Sequence, residues 1–187
     1  LGFGRTPRPS MRPVDGGTRN YREIYWRVYV KTPANWQGAG ADKMSRATII
    51  GGSNLQQAMI AHVWSGADPG PNQNYLMIDP ATGVDSAGRL VTTRYNDFST
   101  LRWLGARRGG TPLFEPARRG QWQCVEARVR LNDAGQANGI FELWIDDQLD
   151  VRRTDLNWVG SYNAYGINAV FLENYWNVGS RIEQERY

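Results

Sequence analysis

The segment GQWQCVEARVRLNDAGQANGIFELWIDD, residues 120–147, leaves the chain little choice of local structure. Val125, Ala127, Val129 and Leu131 alternate with Cys124, Glu126, Arg128 and Arg130, and Phe141, Leu143 and Ile145 alternate with Glu142, Trp144 and Asp146. Successive side chains leave opposite faces of a pleated strand, so each run predicts a strand with one face in a core and one in water. Between them NDAGQANG supplies Asn, Asp and Gly, which accept the positive φ angles of a chain reversal. The pair predicts an antiparallel hairpin with an outer face of Glu, Arg and Trp.

The same period recurs along the chain. EIYWRVYVK sets Ile24, Trp26, Val28 and Val30 against Tyr25, Arg27, Tyr29 and Lys31. SRATIIGGSN and LQQAMIAHVWSG predict a hairpin across Gly51-Gly52, and YLMIDPATGVDSAGRLVTTRYND reads as two strands around a turn. TPANWQGAGADK and ADPGPNQN read as loops. Residues 1–20 hold three prolines and four glycines without periodicity, and predict an extended arm ahead of one folded domain, 21–187. No stretch keeps apolar helical spacing over three turns. Ten to twelve short strands between Gly, Pro and Asn predict an all-β fold, a two-sheet antiparallel β-sandwich or jelly roll.

Composition closes several function classes. The longest apolar runs fall far short of the ~20 residues that span a bilayer. The chain carries +4 net charge with its charges interspersed, so it favours anionic partners, while the lack of a basic run or recognition motif argues against nucleic acid. A lone cysteine, Cys124, excludes an internal disulfide, and one His with one Cys argues against a transition-metal site. Asp79, Asp85, Asn132, Asp133 and Asn138 are hard oxygen ligands on turn-like segments, which keeps calcium open as a cofactor although no EF-hand loop is present. No GxSxG elbow marks a serine hydrolase, and ELWIDD lacks the carboxylate spacing of a retaining glycosidase.

Trp122, Val125, Glu126, Leu131, Asn132, Gly139, Leu143, Trp144 and Asp146 form a pattern that resembles the central hairpin of concanavalin A-like jelly rolls, more narrowly the polysaccharide lyases acting on alginate and glucuronan. NAVFLENYWN resembles a late strand of those folds, and MSRATIIGG with QAMIAHVW resembles the paired strands that floor their substrate groove. The resemblance implies two antiparallel sheets, one bent into a groove for a sugar chain, in a secreted or cell-envelope protein whose partner is a polysaccharide, with anionic chains among those it could take. It implies Arg46 as binder of a uronate carboxylate and Gln57 and His62 as neutraliser and base, although their spacing departs from Gln-x-His and gives them opposite strand parity unless a bulge intervenes. It implies Tyr25, Arg27, Tyr29, Lys31, Glu126, Arg128, Trp144 and Asn174 as groove-lining residues, no metal among the site ligands, and Tyr25, Tyr29, Tyr95 or Tyr175 as acid or base. The Tyr-x-Lys of some alginate lyases is missing from NAVFLENYWN. Three readings therefore stand: a carbohydrate-recognising protein with a lyase-like groove, an active lyase working by β-elimination, and a surface protein forming a homo-oligomer through its arm or an open sheet edge near RIEQERY.

Overall fold

The computed structural model describes all residues except 38–40, 67–73, 178, 180–182 and 184. The middle of the first expected loop, nearly all of ADPGPNQN and part of RIEQERY therefore lie outside the described residues. Among the described residues ten strands follow in order: β1 (Glu23–Val30), β2 (Asp42–Ile50), β3 (Gln57–Trp64), β4 (Met77–Thr82), β5 (Arg102–Trp103), β6 (Arg107–Arg108), β7 (Gln123–Arg130), β8 (Gly139–Ile145), β9 (Gln148–Leu156) and β10 (Ala169–Trp176). They build two antiparallel sheets, one of four strands in the order β1-β7-β8-β9 and one of six in the order β10-β2-β3-β4-β5, with β6 also on β4. The described helical turns are the short 3-10 segments Pro9–Met11 and Pro116–Arg118. The all-β sandwich is as the periodicity requires.

Burial along β7 alternates residue by residue: Val125, Ala127 and Val129 are buried while their neighbours are half-buried. Phe141, Leu143 and Ile145 of β8 join them from the same sheet, and Ala47, Ile49, Met59, Val63 and Ile78 close the core from the other. Phe141 packs on Trp158, both wholly buried. Gly139 opens β8 because a Cβ there would stand 2.4 Å from the Trp158 ring. The next reversal is tighter than NDAGQANG: Asp146 and Asp147, at φ 48° and 64°, form a two-residue turn between Ile145 and Gln148. Positive φ at both central residues is the twist-compatible hairpin turn, and Asp is among the few non-glycine residues that tolerate it.

The expected strand pair in YLMIDPATGVDSAGRLVTTRYND is one strand, β4, followed by an isolated bridge between Val84 and Leu90. The residues after it leave the sheet and fold back over its outer face, where Leu101 packs with Ile60 and Ala81. Residues 1–20 contain no strand, but their first residues are tied to β10: Val170 N–H donates to Leu1 O at 3.0 Å and Phe3 N–H to Asn168 O at 3.0 Å. Within one chain, the arm thus satisfies edge groups that strand addition at this point would use.

Candidate functional site

Strand pairing lays a three-row floor on the outer face of the six-stranded sheet. The first row is Tyr175, Lys43, Trp64 and Met77, the second Phe171, Arg46, His62 and Asp79, and the third Thr48, Ile60, Ala81 and Trp103. Members of a row are direct cross-strand neighbours, close enough for their side chains to interact. Phe98 stacks on Trp103 with ring centroids 6.3 Å apart and raises a wall. The pocket so formed has a volume of about 420 Å³ and is lined by Lys43, Arg46, His62, Trp64, Asp79, Phe98 and Trp103 among others.

Arg46 is the hub. Its guanidinium meets Glu173 Oε1 at 3.1 Å, donates to Asn96 Oδ1 at 2.9 Å and to the Tyr95 hydroxyl, and lies over the rings of Tyr95 and Phe171. His62 is 6% exposed, stacked on Trp64 at 5.0 Å, with Nε2 3.6 Å from Glu173 Oε2. Burial, with Arg46 and Lys43 adding to it, pushes the His62 pKa down to about 3, so the imidazole is neutral at physiological pH. Burial also lifts the Glu173 carboxyl above its ordinary range against the pull of Arg46 and Lys43, and lifts Asp79 to about 6. The Lys43 ammonium is lowered by burial, and the Tyr95 phenol raised.

Gln57 supports this cluster from beneath. The β2–β3 register shifts between Ile49 and Ile50, so that Ile49 faces Met59 while Ile50 faces Gln57. The extra residue, Ala58, is the bulge that returns Gln57 to the face of His62. Gln57 is nevertheless fully buried: its Oε1 accepts from Asn96 N–H at 2.8 Å and its Nε2 donates to Thr48 Oγ1 at 3.1 Å. It holds the turn at Asn96, which sits at φ 52°. Asp97 fixes the same loop by accepting from Thr93 N–H, Thr93 Oγ1 and Ser99 Oγ at 2.8–2.9 Å. Gln57 thus reaches the pocket through Asn96, which in turn touches Arg46.

The structure brings Arg46 and His62 together and carries most of the other expected groove residues elsewhere. Tyr25, Arg27, Tyr29, Glu126, Arg128 and Trp144 lie on β1, β7 and β8, on the outer face of the four-stranded sheet, and share no pocket with Arg46. Alternation tells the face of a strand but not its sheet, which is why the expectation merged two surfaces. That face is an ion-pair ladder: Arg27 bonds Glu126 at 2.8 Å, and Arg128 bonds Glu23 at 2.7 Å and Glu142 at 3.0 Å. Arg152 closes over Glu142, whose side chain is wholly covered. Lys31 lies over the rings of Trp122 and Tyr187, and Asn174 borders a separate 190 Å³ cleft between the edges of β1 and β10. Tyr175 borders the floor, 57% exposed beneath the Lys43 ammonium.

Three residues of the site escape a strand-by-strand reading: Glu173, Asn96 and Asp79 as a pocket residue. Glu173 had a signal, since it shares the parity of Phe171 and Tyr175 in VFLENYW and alternates with Leu172 and Asn174. Asn96 had none beyond a turn-forming residue type. Asp79 and Asp85 do not converge, and Asp85 is engaged by Arg89 and Ala87 N–H. The Asn132 side chain is buried and bonded to Val159 and Gly160, while Asp133 and Asn138 bond each other across their turn. Among the described residues no group of three or more His, Cys, Asp or Glu is placed to hold a metal ion, and no helix is long and apolar enough to cross a membrane.

The family model for polysaccharide lyase 14 matches residues 113–180, which take in β7 to β10 and Glu173 but not Arg46 or His62. No curated protein sequence matches the chain. Among solved structures, alginate lyase vAL-1 from a Chlorella virus superposes with a TM-score of 0.58 at 14% identity, over 90% of this chain and 69% of that one. The alginate lyase Aly36B gives 0.53 at 12% identity over 88% and 63%, and the endo-β-1,4-glucuronan lyase of the fungus Trichoderma reesei 0.50 at 12% over 82% and 56%. The chain thus spans from a little over half to about two thirds of the length of these structures. At such identities the likeness is one of fold: the chain has the two-sheet jelly-roll fold, and in that fold it is similar to alginate and glucuronan lyases.

Proposed function

We propose that the pocket on the six-stranded sheet binds a segment of a uronate-containing polysaccharide, in a protein that works outside the cell or at its envelope. The observation that carries this reading is the three-row floor, which sets two cations, Lys43 and Arg46, beside the ring faces of Trp64, Phe98 and Trp103. Sugar rings present apolar C–H faces that pack on aromatic rings, and their hydroxyl and carboxylate edges need fixed polar partners. Both needs are met within one pocket. The names of the fold relatives, lyases of alginate and glucuronan, support the same substrate class.

A second reading, β-elimination, is favoured by the state of His62. Neutral at working pH, its imidazole has a lone pair to accept the proton beside a uronate carboxylate, and Arg46 places positive charge where the resulting enolate would build up. The Tyr95 hydroxyl, which accepts from Arg46 and keeps its own proton to give, would be the acid for the leaving oxygen. A base held this far down the pKa scale is weak, so this reading requires a bound carboxylate to raise it.

The test is a panel of alginate, glucuronan, pectate and glycosaminoglycans, scored by gel retardation and by ultraviolet absorbance of the unsaturated uronate that elimination releases. Binding lost in Trp103→Ala, with circular dichroism unchanged, supports the groove; Trp103 is 41% exposed, so the fold tolerates its removal. Absorbance that grows with the wild type and not with His62→Ala adds elimination. No retardation by any member refutes the reading.

A further inference from the structure

The Arg46 seat is already filled. Glu173 Oε1 lies 3.1 Å from the guanidinium, with side-chain exposures of 6% for Arg46 and 13% for Glu173. Asn96 and Tyr95 take further guanidinium donors. Glu173 is held there by its strand: β10 bulges between Leu172 and Tyr175, and Arg186 bonds the Glu173 carbonyl oxygen. The packing is strong but incompletely satisfied, because Arg46 Nε, His62 Nε2 and Glu173 Oε2 are buried without a hydrogen-bond partner. These three atoms belong to one cluster, so the polar surface left unmatched lies where a ligand carboxylate would have to bind.

We infer that Glu173 is an internal occupant of the carboxylate seat on Arg46, so that the pocket admits an acidic sugar only when Glu173 gives up the guanidinium, and that Glu173 thereby sets the preference between acidic and neutral chains. This rests on the groove reading above. Two carboxylates on one guanidinium in a poorly solvated site repel, and the arriving one also loses its water. A neutral sugar, which needs only the ring faces of Trp64, Phe98 and Trp103 and hydroxyl partners, meets no such competitor. The groups facing Glu173 are Arg46 and Lys43 from β2 and His62 from β3, with the Tyr95 phenol bonded to Arg46 and also feeling the Glu173 charge. His62 stays neutral through the mildly acidic range, so protonation of Glu173 itself is the event that frees Arg46.

Calorimetric titration of the full chain with a glucuronan hexasaccharide and with cellohexaose tests this. Glu173→Gln, which keeps the shape and an acceptor for Arg46, is expected to bind the acidic hexamer at least about tenfold more tightly than the wild type and the neutral one equally. Equal or weaker binding of the acidic hexamer by the variant overturns the inference. Should Glu173→Gln fail to fold, a pH series decides. It is run in Asp79→Asn, because the pocket's other carboxyl, Asp79, titrates at about 6, inside the pH span of the series. Affinity for the acidic hexamer that rises as pH falls from about 8 to about 4.5, the ordinary value that burial lifts Glu173 above, supports the exchange, and a flat series overturns it. No binding of either hexamer by any of these proteins overturns the groove reading and this inference with it, whereas acidic binding that is indifferent to Glu173 overturns this inference alone.

Discussion

Replacing Gln57 tests whether the pocket depends on a residue that does not line it. Gln57 is fully buried, and its amide joins Asn96 N–H to Thr48 Oγ1. Gln57→Ala leaves the Asn96 N–H without its acceptor, a loss of about 1–3 kcal/mol for a buried donor. Thr48 keeps its own bond to Met59 O at 2.6 Å and loses only an incoming donor, which adds about 0.5–1 kcal/mol. With the space left by one methylene and an amide, the sum is about 2–4 kcal/mol, or about 4–16 °C in Tm for a domain of this size. Gln57→Met fills most of that space without the hydrogen bonds, so the difference between the two variants isolates the packing share. Urea midpoints with an unchanged slope give the stability, and hydrogen exchange at the Asn96 amide reads the local event directly. Exchange at Asn96 should accelerate, and uronate affinity should fall about tenfold as Asn96 and Tyr95 lose their hold on Arg46. A destabilisation below about 0.5 kcal/mol with unchanged exchange at Asn96 would refute the positioning role.

How much of this was legible in the sequence follows from the range of each interaction. The alternation in β1, β7 and β8 is local, so the strands and their inward faces could be read from it, down to Val125, Ala127 and Val129. The Gly51-Gly52 turn is equally local, and Arg46 and His62 lie opposite each other because the hairpin on either side of it pairs them. Sheet membership is not local. Tyr25, Arg27 and Tyr29 face outward as their period demands, yet on the sheet opposite the pocket, because β1 pairs with β7, about a hundred residues away in the chain. Bulges defeat a period-two reading in the same way: Ala58 brings Gln57 and His62 to one face against their count. Glu173 could be placed on the outer face by alternation, but its partnership with Arg46 depends on β10 crossing over to pair with β2.

Two further predictions concern buried carboxylates. The Asp79 pKa in the folded protein, about 6, stands above its unfolded value of 3.8, so the native state binds the proton more tightly and stability is lost as pH rises from about 4 through 6. Asp79→Asn should match the wild type near pH 4 and exceed it at about pH 8 by roughly 1 kcal/mol, the shift being discounted for partial solvent access; the same difference in urea midpoint at both pH values would contradict it. Asp42 is 3% exposed and bonded to Arg186 Nη1, and burial still lifts its carboxyl to about 6 against that pairing. Arg186→Ala strands this carboxyl and releases the carbonyls of Lys43 and Glu173, at a cost of about 3–5 kcal/mol near neutral pH. Without its cation the Asp42 pKa rises further, so the variant binds a proton on folding and its deficit shrinks as the pH falls. Asp42→Asn combined with Arg186→Met removes both charges and should recover most of the loss. A double variant no more stable than Arg186→Ala would show that Arg186 acts through the carbonyls it caps at the β2–β10 bulge, and not through the charge it neutralises.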